Sequence, residues 1–118
     1  MKIIKLSNKG EEVLSKNVIY LSNIWQLAKG LMFTFKIKNP LIFDFKKEKY
    51  VSLHMFFVFY PIDVVFLDSE KRIVDLKENF KPFTTYSSKK KAKYVIEINQ
   101  GTIKEHKLQI NDRLDFRE

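Results

Sequence analysis

Pro61-Ile62-Asp63-Val64-Val65-Phe66-Leu67-Asp68-Ser69-Glu70-Lys71-Arg72-Ile73-Val74-Asp75-Leu76 is the stretch whose reading decides the fold. Val64-Val65-Phe66-Leu67 and Ile73-Val74-Asp75-Leu76 are short runs rich in β-branched side chains, separated by the polar residues 68–72. Runs of this length and composition favour extended chain over helix, and a short polar connection between two of them reads as a hairpin. Asp63 stands two residues after a proline and inside an apolar run. A carboxylate in that setting needs partners, because desolvating it without them is costly.

Upstream of the hairpin, residues 33–37, 41–45 and 53–60 are also rich in aromatic and β-branched side chains and predict three more strands. Alternation along 53–60 puts His54, Phe56, Val58 and Tyr60 on one face and Leu53, Met55, Phe57 and Phe59 on the other. Both faces are apolar, which predicts a central strand. Downstream, residues 81–93 are polar and basic and read as a long surface loop. Tyr94-Val95-Ile96-Glu97-Ile98 then predicts a strand with Glu97 on the face opposite Ile96 and Ile98.

Toward the N-terminus, residues 2–6 predict an edge strand, Asn8-Lys9-Gly10 a turn, and 13–21 further extended chain. Two short helices are expected. One covers 22–29, with Ser22 as N-cap and Ile24, Leu27, Ala28 and Leu31 at helical spacing; Trp25 and Met32 around it read as core. The other covers 102–107, where Thr102 and Glu105 have capping-box spacing. Asn111-Asp112 then turns the chain into a last strand. Strands arriving in runs with hairpin-like joins predict a mainly β fold, a single-domain antiparallel β-sandwich or small barrel with two short helices.

The chain has 118 residues, 45% of them hydrophobic, enough for one folded core and too few for a cleft between two domains. No linker or repeat divides it, so residues 1–118 read as one domain. With 22 basic and 14 acidic residues the net charge is +8, which draws a protein toward polyanions. Only Arg72, Arg113 and Arg117 are arginines; the other bases are lysines, which lack the planar fork that reads guanine edges. Sequence-specific DNA recognition is therefore disfavoured. A lysine- and glutamate-containing surface is also what thermostable proteins carry. The lack of cysteine excludes a disulfide, a thiolate nucleophile and a Cys-based zinc site. The first residues hold no signal-peptide core, and the most apolar run, 53–67, is broken by Pro61 and Asp63 and too short to span a membrane. A cytoplasmic protein without membrane association is the expectation.

Gly30-Leu31-Met32, Ser52-Leu53-His54-Met55, the block from Pro61 to Asp68, and Tyr94-Val95-Ile96-Glu97-Ile98 with Gly101-Thr102 resemble, in order and spacing, the DUF192 family, also called UPF0127. The resemblance runs from about Val18 to Phe116 and is most specific at Pro61-Ile62-Asp63-Val64-Val65-Phe66-Leu67-Asp68. It implies a small, mainly β domain of bacteria and archaea with no established catalytic activity. Where many bacterial members read Trp-Met-Lys-Asn-Thr before the Pro-x-Asp step, this chain reads His54-Met55-Phe56-Phe57-Val58, similar to the archaeal branch. No role of a Lys-Asn pair carries over.

Three functional readings follow. In the first, His54, Asp63 and Glu97 are binding residues of a non-enzymatic module that holds a small molecule or the end of a partner chain. Asp63 is better explained by a structural role, accepting backbone N–H groups at a strand bend or anchoring a lysine. A lone histidine in an apolar strand is more often a core or rim residue than a ligand, and His106 offers no second-ligand spacing, so no metal site is assigned. In the second reading, Asp63 and Glu97 are the paired carboxylates of a carbohydrate-active hydrolase, whose separation sets the mechanism. In the third, Lys89, Lys90, Lys91 and Lys93, near Tyr86 and Tyr94, form a nonspecific nucleic-acid surface that mixes charge with rings. The sequence holds no phosphate loop, serine nucleophile elbow or His-Glu-x-x-His, so no catalytic residue and no cofactor is assigned.

Overall fold

The computed structural model describes residues 1–22, 39–55 and 58–118. Among them are β1 (Lys2–Ser7), β2 (Gly10–Ser15), β3 (Ile19–Leu21), β4 (Leu41–Lys49), β5 (Ser52–His54), β6 (Ile62–Leu67), β7 (Ile73–Phe80), β8 (Thr85–Ser87), β9 (Ala92–Asn99), the helix α1 (Thr102–Glu105) and β10 (Arg113–Arg117). The strands form a five-stranded sheet in the order β3-β4-β9-β6-β7, a three-stranded sheet β10-β1-β2 and a two-stranded sheet β5-β8. These described sheets do not close into a barrel. Pairing is antiparallel except between β3 and β4, which run parallel.

The expected hairpin is β6 and β7, and Asp68 builds its turn. One carboxylate oxygen of Asp68 accepts the N–H groups of Glu70 and Arg72, both at 2.9 Å, while Lys71 takes a positive φ of 63°. Every residue of β6 is buried, because the five-stranded sheet has apolar layers on both faces. Ile62, Val64 and Phe66 join Leu41, Phe43, Val95 and Phe80 on one face, covered by Val51, Met55 and Val58. Val65 and Leu67 join Ile42, Ile96 and Ile98 on the other, covered by Ile3 and Leu114 of the three-stranded sheet and by Ile103 and Leu108. Each such fully buried side chain contributes about 1.5–3 kcal/mol relative to exposure, so β6 anchors both layers.

Several expectations are corrected. The strand over 2–6 is not an edge: β1 lies between β2 and β10, with Lys2 opposite Arg117 and Leu6 opposite Arg113. Its second partner comes from the far end of the chain, which local pattern does not reveal. The strand over 53–60 is not a long central one. Its strand is Ser52–His54, which among the described residues pairs only with β8 and leaves His54 exposed; Phe56 and Phe57 lie outside the described residues. Residues 81–93 are not wholly loop, since they contain β8 and the start of β9. Tyr86 explains the strand there: its ring packs against Phe66 and Phe80 at centroid distances of 5.8 and 6.3 Å.

The expected helix over 102–107 is a four-residue helix without a capping box. Gly101 is its N-cap, and the Thr102 hydroxyl donates instead to the Asn99 carbonyl at 2.7 Å. The helix expected over 22–29 and the strand over 33–37, with Trp25 and Met32, lie outside the described residues.

Candidate functional site

Asp63 is 1% exposed and faces the layer that contains Ile98 and Ile103. One oxygen accepts the Asn79 N–H at 3.0 Å; the other accepts the N–H groups of Gly101 at 3.0 Å and Ile103 at 3.1 Å. The carboxylate thus ties the end of β7 and the β9–α1 turn to β6, in the way its structural reading anticipates. It also supplies to α1 the donors' partner that the sequence sought in Thr102.

Glu97 lies on β9 opposite Leu41 of β4 and Val64 of β6, and so faces the other side of the sheet. Its carboxyl group is deeply buried, which pushes it up to about 8. Its Oε2 is sealed from solvent and has no hydrogen-bond partner among the described residues. The residue as a whole nevertheless keeps some accessible surface. Further along the same row Lys77 lies opposite Val64, its Nζ 5.3 Å from the Tyr86 ring centroid.

The geometry separates the residues that the sequence grouped. Asp63 and Glu97 are divided by the sheet itself, so they do not form a paired-carboxylate cleft. Two grooves, of about 340 Å³ beside Ile103 and Lys107 and about 250 Å³ beside Ser69 and Arg113, are lined by none of His54, Asp63 and Glu97. His54 is exposed on β5, opposite Thr85.

Lys89, Lys90 and Lys91 are exposed and Lys93 is half-buried. The rings near them in sequence are engaged in packing: Tyr94 is buried edge-on to Phe116 at 5.3 Å, and the Tyr86 hydroxyl donates to Asp75 at 2.8 Å. Burial, with that bond to Asp75, raises the Tyr86 phenol to about 12. Sequence reasoning missed Asp75, which is buried and also accepts the N–H groups of Leu76 and Lys89. The signal was available, since Asp75 sits in an apolar strand as Asp63 does. It missed the exposed Tyr50 as well. Among the described residues no group of three or more His, Asp or Glu side chains is placed to hold a metal ion. None of the described helices is long and apolar enough to cross a membrane.

Layered sheets with a hairpin at one edge of the largest, and a buried aspartate locking that hairpin to the turn after β9, define a small, mainly β protein. The DUF192 family model, described as "Uncharacterized ACR, COG1430", matches residues 4–116, and the chain belongs to that family. A UPF0127 protein of Pyrococcus furiosus is 36% identical over 110 residues, covering 92% of each chain. A UPF0127 protein of Thermococcus sibiricus is 40% identical over 90 residues, 75% of this chain but 58% of that one, so the chain matches little more than half of that relative. The archaeal character expected from residues 54–58 agrees with these relatives. Among solved structures, a Sinorhizobium meliloti protein described as a candidate transcription regulator superposes with a TM-score of 0.85 at 26% identity, covering 97% of this chain and 91% of its own. A Novosphingobium aromaticivorans protein of unknown function has the same fold, with a TM-score of 0.85 at 20% identity over 98% of this chain and 84% of its own.

Proposed function

We propose that the protein is a small, single-domain binding module without catalytic function, which holds a small molecule or the end of a partner chain through a basic group at Glu97. The observation that carries this reading is the Glu97 carboxyl, enclosed beside Leu41 and Val64 with Oε2 unpartnered among the described residues. A buried acceptor without a donor opposes folding, and a ligand that brings the donor offsets the loss. With its carboxyl raised to about 8, Glu97 is mostly protonated at neutral pH. A bound ammonium or guanidinium favours the ionised form and displaces that proton. In this reading Asp63 is architectural and His54 is a rim residue on β5.

Thermal melts with a panel of small alkylamines and alkylguanidines test the proposal. The wild type is expected to gain Tm with increasing ligand and to release protons on binding, whereas Glu97→Gln shows neither effect. No gain with any member of the panel, or an equal gain in Glu97→Gln, overturns it.

A further inference from the structure

Strand β4 carries an irregularity that its ladder does not require. Asp44 pairs with Tyr94 and Lys49 with Ala92, so residues 45–48 of β4 lie opposite Lys93 alone. At this bulge Lys46 takes a left-handed conformation, φ 71°, which a lysine rarely adopts. The buried Asp44 holds it there: one oxygen accepts the Lys46 N–H at 2.8 Å, and the other accepts the Tyr20 hydroxyl. Bulges re-aim side chains, and this one leaves Lys46, Lys47 and Lys49 exposed.

The run 89–93 enters the sheet beside the bulge. Asp75 fixes the run by accepting the Lys89 N–H at 2.9 Å, and Ala92 pairs with Lys49. The backbone N–H and hydroxyl of Ser69 hold the Glu48 carboxyl below its ordinary range, with Lys91 adding to the effect from across the gap. The β4–β9 pairing therefore brings the three lysines at the end of β4 next to the four of the run. Against these seven stand three acids, Asp44, Glu48 and Asp75, an excess of four of the chain's eight net positive charges.

All three acids are engaged by backbone or hydroxyl donors, and among the described residues none of the seven lysines is in an ion pair. By contrast Lys5, Lys71, Arg72 and Arg117, along the three-stranded sheet and the hairpin turn, are each paired with an acid. Three of these ammonium groups lie over rings instead: Lys49 is 4.7 Å from the Phe45 centroid, Lys93 is 4.9 Å from that of Tyr94 and Lys91 is 6.0 Å from that of Tyr50. Tyr50 itself is 65% exposed.

We infer that this face binds single-stranded nucleic acid, with the lysines on phosphates and Tyr50 stacked on a base. The surface is broader than the run 89–93, because the bulge of β4 supplies nearly half its charge and its exposed ring. Lysines in place of arginines make the contact tolerant of sequence. An anionic membrane meets the same charge, but lysines around one phenol lack the apolar helix face that interfacial binding uses.

Fluorescence anisotropy with a labelled oligothymidylate roughly 15 nucleotides long, at about 50 mM salt, tests the inference. Replacing Lys46, Lys49, Lys89 and Lys91 by Gln is expected to weaken binding at least about tenfold and to flatten its salt dependence. Tyr50→Ala, which leaves the charge unchanged, is expected to weaken it about tenfold. A control with Lys2, Lys9, Lys16 and Lys104 replaced by Gln has the same net charge as the first variant and keeps wild-type affinity. All the changed side chains are exposed, so circular dichroism of each variant matches the wild type. Four results overturn the inference: no binding by the wild type, an equal loss in the control, undiminished binding by Tyr50→Ala, or tighter binding to phosphatidylserine vesicles than to the oligonucleotide.

Discussion

Asp63 and Glu97 stand at adjacent register positions on the paired strands β6 and β9, yet face opposite sides of the sheet. Asp63 lies opposite Ile98, in the layer that holds Ile103; Glu97 lies opposite Val64, in the layer that holds Phe66. One carboxyl is saturated by three backbone donors. The other has an enclosed oxygen with none among the described residues.

Asp63→Ala removes the acceptor of three N–H groups and is expected to cost about 1–3 kcal/mol, and more if no water reaches the orphaned donors. Asp63→Asn can keep its oxygen toward Gly101 and Ile103, giving up only Asn79, and is expected to cost less. Urea unfolding of the two variants measures the difference. An Asp63→Ala protein as stable as the wild type contradicts the architectural role.

The pH dependence of stability isolates Glu97. Its carboxyl ionises near 8 in the folded state against 4.5 as the ordinary value. Between those values the folded chain holds a proton that the unfolded chain has lost, so stability is full below the lower value and falls as pH rises through the upper. Glu97→Gln is expected to remove that fall and to be the more stable protein at about pH 8, by on the order of a few kcal/mol, while matching the wild type at about pH 4. Melts of both proteins across this range check it, and equal stability at the upper pH refutes it.

Tyr86→Phe keeps the ring against Phe66 and Phe80 but removes the hydroxyl bond to the buried Asp75, which retains the N–H groups of Leu76 and Lys89. The expected cost is about 1.5 kcal/mol, the usual value of a hydrogen bond to a charged group. In an alkaline absorbance titration the variant should lose one phenol that ionises at about 12.

Gly101 sits at φ 93°, and no atom lies within 4 Å of where a Cβ would stand. Gly101→Ala therefore meets no clash, and its cost is conformational, about 1 kcal/mol. Gly101→Asn should cost less, because Asn tolerates left-handed backbone better. Denaturant midpoints of the two variants rank them, and the reverse order counts against this account.

The hairpin was legible because everything that makes it is local: two apolar runs, and Asp68 bonding to Glu70 and Arg72 within its own turn. The need to satisfy Asp63 was legible for the same reason. Its donors were not, since Gly101 and Ile103 lie far along the chain, and Thr102 with Glu105 offered a nearer but unused cap. Nor does alternation say which strand lies across a sheet. Glu97 was correctly set opposite Ile96 and Ile98, but its separation from Asp63 required the register of β6 on β9. The basic face was half visible in Lys89, Lys90, Lys91 and Lys93. The other half, Lys46, Lys47 and Lys49, joins it only through the β4–β9 pairing.

The pairing of β1 with β10 also orders events during synthesis. β1 leaves the ribosome before β2 and β10, and β2 can zip to one of its edges within a few residues. Its other edge waits for Arg113–Arg117, made about 100 residues later, and long-range pairings of this kind are intrinsically slow to form. Until then the nascent chain presents an open strand edge beside Ile3 and Leu114's vacant place, the kind of surface that other strands adhere to. Closure of this sheet is thus reserved for β10, which makes Leu114 and its neighbours the latch that covers the open edge of β1.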